Sequence, residues 1–90
     1  MIFDVDLSPL AESFVVALNK PDRDAFYRSI SLLCANPHAD GGMKSFLPFP
    51  YLPGTLGCSF GDFWVTYWIE SERRIVIAAV AWNPESGRRR

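Results

Sequence analysis

The spacing of apolar positions along this chain changes several times, and each change predicts a new element. Residues 1–7, Met-Ile-Phe-Asp-Val-Asp-Leu, alternate imperfectly from Ile2 onward and stop at Ser8-Pro9, which predicts a short first strand at a sheet edge. From Ser8 the spacing becomes helical. Ser8 suits an N-cap, Pro9 suits the first helical position, and Leu10, Phe14, Ala17 and Leu18 fall on one expected buried stripe. That helix is expected to end near Asn19. Pro21 and Asp22 restart a second helix with Phe26, Ile30, Leu33 and Cys34 on its stripe, Arg23, Arg28 and Ser31 mostly outside it, and Asn36-Pro37 as its stop. Two helices joined so closely form an antiparallel hairpin whose joint apolar face needs a further cover.

Residues 38–54 carry Pro48, Pro50, Pro53, Gly41, Gly42 and Gly54, which exclude regular structure over most of that length. Thr55–Phe60 then reads as a strand, with Gly61-Asp62 supplying turn chemistry. Residues 63–70 are packed with aromatic and β-branched side chains and residues 75–82 form a continuous apolar run, so 63–70 and 74–82 read as two more strands across the hairpin-length link Ser71-Glu72-Arg73. The predicted architecture is α+β: an N-terminal strand, a two-helix antiparallel hairpin, then a three-stranded antiparallel meander packed on the helices.

The strand over residues 63–70 is apolar on both sides. Trp64, Thr66 and Trp68 share one face, while Phe63, Val65, Tyr67 and Ile69 share the other. Helices can bury only one of these, and exposed contiguous apolar area marks a partner site. Two covers suit the second face: a protein partner, or the loop residues Phe46, Leu47, Phe49, Tyr51 and Leu52. The partner-binding residues expected on the first reading are Trp64, Thr66, Trp68 and Trp82.

Ninety residues suffice for one domain, 1–90, with residues 88–90 as a solvated tail. A hydrophobic fraction of 49% against 21% charged residues is that of a globular chain. The longest strictly apolar run, residues 75–82, is far short of the roughly 20 residues needed to span a bilayer. Acidic residues stand where a signal peptide needs basic ones, so a cytoplasmic location is expected. Cys34 and Cys58 have no CxxC spacing and are expected as buried free thiols. The net charge of −1 includes Arg88, Arg89 and Arg90, so residues 1–87 are near −4, which counts against a general nucleic-acid binder. His38 is the single histidine, too few for a histidine-rich metal site or a persuasive Ser-His-Asp triad, so neither a metal nor a cofactor is expected. The segments Gly41-Gly42-Met43-Lys44 and Gly54-Thr55-Leu56-Gly57 lack phosphate-loop spacing, and Glu70 and Glu72 suit solvated ends of a hairpin.

The element order, the helix ending of residues 30–37 (Ile-Ser-Leu-Leu-Cys-Ala-Asn-Pro), the stretch Met43-Lys44-Ser45-Phe46-Leu47, the strand phrase of residues 61–70 and the last core strand of residues 74–83 together resemble the RelE/ParE toxin superfamily of bacterial type II toxin–antitoxin systems. That resemblance covers nearly the whole chain and implies an antitoxin partner. Its mRNA-cleaving members work on the ribosome with basic residues and often a C-terminal tyrosine or histidine. Here Trp64 stands at the strand arginine's place, Trp82 and Asn83 stand at that of a His-Arg or Lys-Arg pair, and no tyrosine or histidine follows Trp82. Lys44 remains. The resemblance therefore implies first a toxin-like protein acting through protein binding, with DNA gyrase or another protein as target. Its second implication is a degenerate ribosome-dependent endoribonuclease using Lys44, Arg73, Arg74 and the arginine tail. A third is a non-toxic homodimer or accessory protein that keeps the fold.

Overall fold

Ser8 sets the start of the first helix and ties it to the sheet. Its hydroxyl accepts from the Ala11 N–H at 3.1 Å and donates to the Ala78 carbonyl at 2.6 Å. The computed structural model describes residues 2–40, 44–48 and 50–84. In chain order the elements are β1 (Asp4–Leu7), α1 (Pro9–Val16), α2 (Lys20–Ala35), β2 (Lys44–Phe46), β3 (Thr55–Phe60), β4 (Phe63–Ser71) and β5 (Arg74–Trp82).

Among the described residues the strands form one sheet in the order β1-β5-β4-β3-β2. β3, β4 and β5 make the expected antiparallel meander, and β1 is the expected edge strand, running parallel to β5 with Val5 opposite Ile75. β2 is an addition to the expected architecture. It pairs over only three residues, Lys44 with Cys58 to Phe46 with Leu56, too few for any period to show in sequence.

Both helices cover the same face of the sheet, and the core lies between them. Phe26, Ile30, Leu33 and Cys34 are buried as their spacing predicts. The stripe of α1 differs from the expected one: Ala11, Val15 and Leu18 are buried, whereas Leu10 is 69% exposed. Apolar residues at both 15 and 16 leave the helix phase open, and the Ser8–Ala78 bond selects it. α1 ends at Val16, three residues before the expected boundary, because Asn19 serves as the N-cap of α2, its side chain accepting from the Asp22 N–H at 3.0 Å. Tyr67 is fully buried, and its hydroxyl donates to the Pro37 carbonyl at 2.6 Å, fixing the chain after α2 to the middle of the sheet. Among the described residues, two turns use left-handed backbone, at Gly54 (φ +91°) and Gly61 (φ +53°).

Candidate functional site

On the face of the sheet turned away from the helices, three rows of paired residues cross the meander: Ser59–Trp64–Ala81, Gly57–Thr66–Ala79 and Thr55–Trp68–Val76. The tryptophans stand among small neighbours. Gly57 has a specific purpose here, since a Cβ at that position would come within 2.7 Å of two Trp64 ring carbons and 2.8 Å of the Leu47 Cδ2. The Trp64 indole and the Leu47 side chain thus both lie over the Gly57 backbone, and Thr66 between the two indoles is buried. Trp68 is different. It is 39% exposed and, with Leu52, Pro53, Gly54, Thr55 and Ile69, lines an open cleft of about 290 Å³. Leu52 is 78% exposed, and Phe46 and Tyr51 are exposed as well. The two covers weighed from sequence therefore divide the face: Leu47 reaches Trp64, whereas Trp68 and Leu52 remain open to solvent. Phe49 lies outside the described residues.

Trp82 is not on that face. It pairs with Phe63, stacks on the Phe63 ring at 5.2 Å and meets Phe14 of α1 at 5.7 Å, all on the helix side. The cause is a register shift between Thr66 and Tyr67, opposite Ala78, which reverses the alternation along β5. Large residues at 75, 77, 80 and 82, with two alanines between the pairs, carry the same break in parity in the sequence. The structure so groups Trp64, Thr66 and Trp68 and sets Trp82 apart.

The cationic candidates are dispersed. The Lys44 ammonium donates to the Asn36 carbonyl at 2.8 Å and lies 3.7 Å from the Asp40 carboxylate, with its side chain only 15% exposed. It caps the end of α2. Arg74 pairs with Asp6 of β1 at 2.6 Å, and Arg73 is exposed in the β4–β5 turn, where its carbonyl accepts from the Asp4 N–H. Lys44 is level with Val80 through Cys58 and Val65. Arg74 then lies three strands and six residues away, roughly 14 Å across the sheet and roughly 20 Å along it. No single scissile phosphate can touch both. The tail residues 88–90 lie outside the described residues. His38 is exposed and meets Phe3 edge-on at 5.7 Å. Among the described residues no group of three or more histidine, cysteine or acidic side chains could hold a metal ion, and no helix is long and apolar enough to cross a membrane.

Cys34 and Cys58 are buried free thiols, as expected from their spacing. Burial pushes the Cys58 thiol up from 9.0 to about 11, with the Lys44 charge opposing part of that rise. Burial raises the Cys34 thiol and the Tyr67 hydroxyl as well. All three groups ionise more readily in the unfolded chain and so favour the fold at neutral pH; the Cys58 contribution is full below pH 9 and is lost as pH climbs toward about 11, while that of Tyr67 starts to fall only above pH 10. Cys58 alone accounts for on the order of 2 kcal/mol. Urea midpoints are expected to hold steady through pH 8 and fall steeply above 9, and Cys58→Ser is expected to flatten part of that fall.

No protein-family model matches the chain, and no curated protein matches it. Solved structures do. A chain of the toxin–antitoxin complex RelBE2 from Mycobacterium tuberculosis aligns with a TM-score of 0.76 at 20% identity, over 92% of this chain and 100% of that one. The isolated RelE toxin of Escherichia coli gives 0.70 at 11% identity, over 94% of this chain and 88% of that one. The RelE–RelB complex of the archaeon Pyrococcus horikoshii gives 0.64 at 16%, over 99% and 100%. Across nearly its whole length, then, the chain has the RelE-like α+β fold, as its helix ending and last two strands suggest.

Proposed function

We propose that this chain is the toxin-like member of a toxin–antitoxin pair and that it acts by binding proteins rather than by cutting RNA. The observation that carries this reading is the contrast between its cations and its aromatics. Lys44 is engaged at the end of α2, Arg74 is engaged with Asp6 on the far side of the sheet, and the two cannot meet on one phosphate. Trp68 and Leu52, by contrast, present open apolar area beside a cleft. Two of the similar structures are complexes of a RelE-type toxin with its antitoxin, which supports an antitoxin as the first partner of this chain.

An antitoxin segment lying across the Trp68 cleft gains apolar burial from a ring that is already held by its strand, so little side-chain entropy is lost on binding. The toxic act is binding to a second protein, such as gyrase, through surface that the antitoxin masks. Inducible expression in a bacterial host tests this. Arrest of growth is expected, and it is expected to persist in Arg73→Ala and Arg74→Ala variants at equal soluble protein. Restored growth in those variants favours the endoribonuclease reading.

A further inference from the structure

Near the β4–β5 turn, the open face of the sheet passes from apolar to acidic. Thr55 of β3, Trp68 of β4, Val76 of β5 and Asp6 of β1 stand opposite one another across four strands. Asp6 therefore lies two strands from Trp68, roughly 10 Å between their backbones. Asp4 shares this face with Asp6, because Val5 and Leu7 alternate with them and pack toward the core on the helix side. Both aspartates are exposed, as is Glu70 near the end of β4. Arg74 stands opposite Asp4, and its Nη1 pairs with Asp6 at 2.6 Å. That hydrogen bond first, then the charges of Asp6, Asp4 and Glu70, hold the guanidinium proton more firmly than usual, so all three carboxylates lie within electrostatic reach of one cation. Three acids around one guanidinium leave an excess of two negative charges beside the Trp68 cleft. Glu72 and Arg73 in the adjoining turn cancel each other.

We propose that this face docks a basic segment of a partner protein, with an apolar side chain seated in the cleft between Leu52 and Trp68 and lysine or arginine side chains reaching Asp4 and Glu70. The inference rests on the reading that the Trp68 surface binds protein, and it adds the partner's charge. Open apolar area at Trp68 and Leu52 suits many occupants, and the charge beside it chooses among them. A second copy of the chain would set the same acidic excess against itself. Nucleic acid would bring phosphates to it, and an acidic segment would be repelled. Asp6 is engaged by Arg74, whereas neither Asp4 nor Glu70 takes part in an ion pair among the described residues. Those two carboxylates are therefore the ones a basic segment would meet. Spacing agrees with this. An extended segment crossing the sheet carries same-face side chains roughly 7 Å apart, so with an apolar residue over the cleft the residues two and four positions along stand over the acidic end.

Titration of the full ¹⁵N-labelled chain with two blocked peptides tests the proposal, read at the tryptophan indole N–H signals. One peptide is acetyl-Leu-Ser-Leu-Ser-Arg-Ser-Arg-amide, and the other carries glutamate in place of both arginines. The arginine peptide is expected to move the Trp68 signal and leave that of Trp82, on the helix side, in place. The glutamate peptide is expected to bind about tenfold more weakly or worse. Asp4→Asn/Glu70→Gln keeps the Arg74–Asp6 pair and is expected to weaken binding of the arginine peptide about fivefold, as is high salt. Equal binding of the two peptides, or a double variant that binds as the wild type does, overturns the proposal while leaving an apolar protein site at Trp68. No shift at Trp68 with either peptide overturns it too, and growth arrest without RNA cleavage would still stand as a separate result. Broadening of the Trp68 signal with protein concentration alone assigns the face to a second copy and also overturns it.

Discussion

Phe26→Ala is expected to lower the free energy of unfolding by about 3–5 kcal/mol, a large share of the roughly 5–15 kcal/mol a small domain has in total. Phe26 is fully buried and meets the Phe63 ring edge-on at 5.5 Å. Phe63 in turn stacks on Trp82, and Trp82 meets Phe14. This row of four rings joins α2 to β4, β4 to β5 and β5 to α1, so truncation at Phe26 leaves a cavity at the start of the row. At roughly 4–8 °C per kcal/mol for a domain of this size, the thermal midpoint falls by at least about 12 °C. Circular dichroism melts of the two proteins measure it. A fall of only a few degrees means that α2 does not pack on β4 in the manner described.

The second large effect concerns binding rather than stability. Trp68→Ala is expected to weaken binding of a cognate antitoxin by about 30-fold or more, the range of a central aromatic anchor. Its effect on the melt should be small beside that of Phe26→Ala, because Trp68 is already 39% exposed. Trp64→Ala separates the two roles: its indole lies over Gly57 with Leu47 beside it, so its loss should disturb the fold as well as the surface. Isothermal titration with each variant reads the affinity directly. An unchanged affinity for Trp68→Ala places the partner elsewhere on the molecule.

How far the sequence carried depends on whether one residue pattern had one structural solution. The stripe of α2 was legible because Phe26, Ile30, Leu33 and Cys34 admit a single helical phase. That of α1 was not, since apolar residues at both 15 and 16 admit two phases, and a hydroxyl bond from Ser8 to Ala78, seventy residues away, decides between them. The faces of β4 were legible by alternation alone. Alternation failed at β5, where the shift opposite Ala78 turned Trp82 toward the helices. The dispersal of Lys44 and Arg74 depends on the order of strands in the sheet, which local patterns do not contain. Trp68 emerged as the open aromatic for a similar reason: which indole the loop residue Leu47 would reach is a tertiary fact.

The central claim is that the chain acts on proteins and leaves RNA intact. Mapping mRNA 5′ ends in cultures sampled before and after induction tests it most directly. The account predicts growth arrest with no new ends, and the appearance of codon-periodic ends after induction would contradict it.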